Sequence, residues 1–154
     1  MRLSDRVTVQ IHGDLMDIGG TDIHGGVAAA GWIDMALYDQ IVFFVAVGPN
    51  ATETWNAADQ LDNLHINQAS TATGTGTKAL VPAVNLDQTA ANTAGETFVL
   101  ECTAAHCDTV GGFHWVRLEA SEAGNTGTDF CVVGAILYGA RYQHGDMAGA
   151  TDTA

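Results

Sequence analysis

The side chains best suited to chemistry in this chain are six histidines, His12, His24, His65, His106, His114 and His144, and three cysteines, Cys102, Cys107 and Cys131. Imidazole, thiolate and carboxylate are the ligands zinc prefers, and the tightest set is Cys102, His106, Cys107 and Asp108. A structural zinc site shows two paired ligand clusters at recognisable spacing, whereas this set has no partner pair, so no metal is expected. Asp14, Asp17 and Asp22 lie in a glycine-rich stretch without EF-hand spacing and read as solvated turn residues. Cys107 beside His106 would join a thiol to a base, but neighbours in an extended segment point to opposite sides. The three serines, Ser4, Ser70 and Ser121, sit in no G-x-S-x-G elbow. GTGTK at 74–78 lacks phosphate-loop spacing and reads as a bulge or hairpin. No catalytic residue, cofactor or metal ligand is therefore assigned, and the chain is expected not to be an enzyme.

The odd cysteine count defines no disulfide framework. Cys131, inside FCVVGAILY, reads as a small buried hydrophobe, and the pair Cys102 and Cys107 either closes a short loop or stays as free thiols. The formal charge of −13 comes from 5 Lys and Arg against 18 Asp and Glu. The basic residues, Arg2, Arg6, Lys78, Arg117 and Arg141, are scattered along the chain, so no groove that tracks phosphates is expected and nucleic acid is excluded as a partner. An acidic surface suits a protein that stays soluble at high local density or meets a basic partner. The N-terminus has no apolar signal core, and the apolar runs at 41–47 and 130–138 fall short of the roughly 18 residues of a membrane helix. No membrane partner is expected.

These residues must be positioned by strands. Short β-branched and aromatic runs separated by Gly, Asn, Asp and Thr clusters predict an all-β fold, and 154 residues suffice for one domain. VTVQIH, from Val7, alternates apolar and polar as a half-buried strand does. The Gly- and Asp-rich stretch 13–31 predicts a loop with one short strand near Leu15 to Ile18, and Trp32 to Leu37 an edge strand. Ile41 to Val47, and the run DFCVVGAILYGARY, predict strands buried on both faces. A helical turn is plausible within Thr52 to Leu64, and strands are placed at Asn63 to Ser70 and Ala79 to Val84, with a turn at Gly74 and Gly76 between them. ETFVLEC and GGFHWVRLEAS alternate cleanly and supply two more. The expected architecture is a jelly-roll-like β-sandwich of about eight strands spanning 7–142. An N-terminal arm, 1–6, precedes it, and a flexible, acidic C-terminal tail, 143–154, follows.

Two stretches resemble a family of small bacteriophage head decoration (capsid cement) proteins. QASTATGTGTKAL, Gln68 to Leu80, has the family's Gln-Ala strand end, T-G-x-G turn and following K-A-L. Phe98 to Tyr142 is similar in the spacing of its first strand, polar loop, G-G-F, V-R-L, turn and closing L-Y-x-A-R-Y. Together they cover a little over a third of the chain. The loop Ala104 to Asp108 and the number of His and Cys residues depart from the family pattern.

The resemblance implies a structural protein on the outer surface of a phage head, made in the host bacterial cytoplasm, that bridges major capsid subunits as an oligomer, a trimer being favoured. It carries over no catalytic residues. Capsid contact is expected from the N-terminal arm, where Arg2 and Arg6 supply positive charge and Leu3 an apolar anchor. Two alternatives are a head-fibre or adhesin-like module binding a host glycan through Trp32 and Trp55, and a tail or neck component.

Overall fold

In a computed structural model the chain is described at residues 7–11, 16–17, 23–25, 31–50, 60–86, 94–123 and 129–140. Over these residues it is all-β, as the alternating runs predict. The strands are β1 (Val7–Ile11), β2 (Met16–Asp17), β3 (Ile23–Gly25), β4 (Ile33–Asp34), β5 (Gln40–Asn50), β6 (Gln60–Ala69), β7 (Lys78–Leu86), β8 (Thr97–Thr103), β9 (Trp115–Ala123) and β10 (Asp129–Tyr138). A 3-10 turn, Ala104–His106, follows β8. The described residues hold ten strands where about eight are expected, because the Gly-rich stretch holds β3 as well as β2. The expected edge strand from Trp32 to Leu37 shrinks to that pair, after which the chain turns at Met35.

All pairings are antiparallel and form two sheets. The first runs β1-β10-β5-β8, with β2 also on β10, and the second runs β3-β9-β6-β7, with β4 also on β9. The core lies between them. Ile41, Phe43 and Val45 stand opposite Leu137, Ala135 and Val133 on one side and Cys102, Leu100 and Phe98 on the other. From the second sheet, Ile66 and Leu118 are cross-strand partners in the same cluster, with Ile33 opposite Val116. Period-2 alternation drives this: every second side chain of β8 is buried.

β5 corrects an expectation. Ile41, Phe43, Val45 and Val47 are buried, but Val42, Phe44 and Ala46 between them are only half-buried, as are Val132 and Ile136 on β10. Among the described residues there are two layers, so an unbroken apolar run here marks one buried face and one apolar outer face. On that outer face the Phe44 ring lies over Gly134, its cross-strand partner, where a side chain would collide with it.

β7 pairs with β6 in two pieces. Ile66 faces Val84 but Asn67 faces Ala79, so residues 80–83 bulge out of the ladder. Leu80 turns inward to the core, while Val81 is 71% exposed. Pro82, which has no N–H to donate, is tolerated because β7 is an edge strand.

Candidate functional site

The segment from Thr103 to His114, at the end of β8 and before β9, carries His106, Cys107, Asp108 and His114, and one buried amide holds it. Gln68, on the inward side of β6, is 0% exposed. Its Nε2 donates to the carbonyl of Ala79 at 2.8 Å, and its Oε1 accepts from the backbone N–H of Asp108 at 2.8 Å. A polar side chain is tolerated in this core because both ends of the amide are matched. Asp108 is held further by Lys78, whose Nζ lies 2.6 Å from Oδ2, while its Oδ1 accepts from Gly111 N–H at 2.9 Å. The Lys78 hydrogen bond, seconded by Gly111, keeps the Asp108 carboxyl below the usual carboxylate range. The same Nζ sits 3.8 Å above the centroid of the Phe113 ring.

The turn 70–77 that leads into β7 is built as its sequence predicts. Gly74 and Gly76 have φ of +83° and +69°, a region L side chains rarely enter. A side chain at Gly74 would also meet the Trp32 indole, its Cβ 2.7 Å from Nε1. Trp32 is 5% exposed, packed under this turn on one side and 4.5 Å from the Arg117 guanidinium on the other. Trp32 is therefore no exposed sugar platform, which corrects that expectation. Arg117 in turn binds Glu119, which also accepts from Asn67 Nδ2 at 2.7 Å and lies 3.3 Å from His65 Nε2. The outer face of the second sheet thus carries a polar network on β6 and β9.

The Cys102, His106, Cys107 and Asp108 set does not converge. Cys102 and Cys107 are buried free thiols. Burial pushes the Cys107 thiol up to about 11, and burial with the nearby Cys107 and Glu101 charges raises Cys102 further. His106 Nδ1 accepts from the N–H of Thr103 at 3.3 Å, and Asp108 is engaged by Lys78. Among the described residues no three His, Cys, Asp or Glu side chains come together as a metal site would require. Asp14, Asp22, Trp55 and the arm residues Arg2, Leu3 and Arg6 lie outside the described residues.

The structure brings together one pair that the sequence does not advertise. His114 Nδ1 is 2.7 Å from Asp34 Oδ1, which also accepts from Ala36 N–H at 2.9 Å. Eighty positions separate the two, and they meet because β4 pairs with the start of β9. His114, Met35, Ala36, Ala104, Cys107 and Thr109 line a cleft of about 470 Å³. A carboxylate accepts only, so it orients the ring. Cys107 and His114 both line this cleft, and among the described residues no hydrogen bond joins the thiol to the ring.

The remaining surface divides sharply. Val42, Phe44, Ala46, Val132 and Ile136 form the half-buried middle of the first sheet's outer face, continued by exposed Tyr138 and by Val99, which is 60% exposed. Val81 and Val110 add two exposed apolar side chains on β7 and on the turn after Asp108. Among the described residues no helix is long and apolar enough to cross a membrane.

The architecture is thus an antiparallel two-sheet β-sandwich. No family model, no curated protein and no solved structure matches the chain.

Proposed function

We propose that this protein is a structural virion protein, a decoration protein that binds the outer surface of a phage head as an oligomer and bridges major capsid subunits. The observation that carries this reading is the contrast between the two outer faces. The second sheet presents Asn67, Arg117 and Glu119 in a closed polar network, whereas the first presents Val42, Phe44, Ala46, Val99, Val132 and Ile136. An apolar sheet face on an acidic protein is suited to contact with another subunit rather than to turnover.

Two further features support it. The sheet orders β1-β10-β5-β8 and β3-β9-β6-β7 each interleave strands from early and late in the chain. That favours a jelly roll, an architecture of viral capsid and lectin domains. The two stretches also contact one another: Lys78 of the first covers Phe113 of the second, while Gln68 and Lys78 hold Asp108, in the loop that departs from the family pattern.

The test is co-sedimentation of the purified chain with heads of the phage that encodes it. Val99→Asp with Tyr138→Asp should weaken binding by at least about tenfold, because each would bury an unpaired charge in the contact. Ala72→Asp, in the exposed turn before β7, should leave it unchanged. Absence of the wild-type chain from the head pellet would refute the assignment.

A further inference from the structure

The cleft beside His114 reaches beyond a purely structural role and does not depend on it. Its volume of about 470 Å³ falls in the range of small-molecule sites. Its walls are mostly apolar, with Ala36, Ala104 and Ala105 leaving room and Met35 supplying a buried thioether. Thioethers adapt in shape and make favourable contacts with aromatic ring edges. The principal orienting group is the His114 ring. Because Asp34 only accepts, His114 Nδ1 must carry its proton, and in the neutral ring Nε2 is left as an acceptor. Among the described residues Nε2 has no protein partner. The net charge of −13 disfavours an anionic guest.

We propose that this cleft is a binding site for a small, neutral, flat aromatic molecule that carries one hydroxyl or amine hydrogen, donated to His114 Nε2. The ring lies against Met35 and the alanines, and the donor end meets the imidazole. Asp34 acts as the positioning residue, holding the tautomer and angle of the ring through a 2.7 Å bond.

The probe is 1-naphthol, titrated calorimetrically into the full chain, with 1-methoxynaphthalene as the O-methylated analogue that cannot donate. One saturable site is expected, with the methoxy compound about fivefold to tenfold weaker, the worth of one hydrogen bond. In His114→Phe, which keeps an aromatic body but removes the acceptor, the two compounds should bind alike. Ala36 and Ala105 are exposed residues of the cleft wall, so Ala36→Trp and Ala105→Trp should each fill it and abolish binding. The near-UV circular dichroism of both variants should show an intact fold. Lack of saturable binding, equal affinity of the two compounds for the wild type, or undiminished binding in both folded Trp variants would overturn the proposal.

Discussion

Replacing Gln68 by Leu should destabilise the domain out of proportion to the small change in shape. The substitution keeps an inward side chain of similar size on β6 but removes a donor to Ala79 O and an acceptor for Asp108 N–H, each 2.8 Å away. A buried group left without its partner costs about 1–3 kcal/mol. Here the upper figure does not apply, because Ala79 is an exposed residue and Asp108 is half-buried, so water reaches the stranded groups in part. Taking about 1 kcal/mol for each, plus a few tenths for misfit of a branched side chain beside Val116, gives about 2–3 kcal/mol in all. For a domain of this length that corresponds to a fall in melting temperature of about 4–12 °C. Urea unfolding followed by tryptophan fluorescence reads the same loss as a lower midpoint at unchanged slope. Gln68→Glu should be at least as costly, since a carboxylate can still accept from Asp108 but cannot donate to Ala79 and brings a charge into the core. A Gln68→Leu midpoint within error of the wild type would show that the amide does not tie the loop to β7.

The remaining predictions concern the faces and the thiols. Gly134→Ala would place a Cβ 2.6 Å from Phe44 Cε1; it should cost about 1–2 kcal/mol, and much less in a Phe44→Ala background, because overpacking disappears with the ring. Additive denaturation midpoints in the double variant would refute that. Burial opposes ionisation of Glu119, but the hydrogen bond and charge of Arg117, the Asn67 bond and the His65 ring outweigh it and hold its carboxyl below the ordinary glutamate range. A depressed folded pKa contributes stability that is full above the unfolded value and is lost as pH falls through the folded one. Glu119→Gln should therefore be less stable than the wild type at neutral pH, with the gap closing in acid; a gap independent of pH would contradict this. Cys102 and Cys107, both raised by burial, should resist iodoacetamide in the folded protein and react once it is unfolded. Rapid labelling of Cys102 in native protein, mapped by mass spectrometry, would count against its place in the core.

Most of the strands were legible in the sequence because period-2 alternation is a local signal. ETFVLEC predicts β8 with the alternation that the structure shows, and the register of β8 on β5 follows from which side is apolar. Where the local signal is ambiguous, the expectation goes astray. IVFFVAV reads as buried on both faces because hydrophobicity alone does not distinguish a second core from an apolar outer face. Trp32 reads as surface-facing for a different reason: what covers it is the turn at Gly74, supplied by a segment some forty positions away. The His114 and Asp34 pair was not legible at all. Each residue is unremarkable in its own stretch, and only the pairing of β4 with β9 brings them to hydrogen-bond distance.

The same distinction separates internal from exposed side chains within single stretches of the chain. Several residues of the stretches Gln68 to Leu80 and Phe98 to Tyr142 have internal duties: Gln68 and Lys78 anchor the loop after β8, the glycines of 70–77 admit Trp32 and Phe113, and Arg117 closes over that indole. The exposed apolar side chains Val99 and Tyr138, with Val81 and Val110, stand apart from that network. Substitutions in the Gln68 network should therefore move the unfolding midpoint, with capsid affinity following only as folded protein is lost. Substitutions at Val99 and Tyr138 should do the reverse, lowering affinity at an unchanged midpoint. A variant set that did not separate in this way would place the contact on the loop network itself rather than on the apolar sheet.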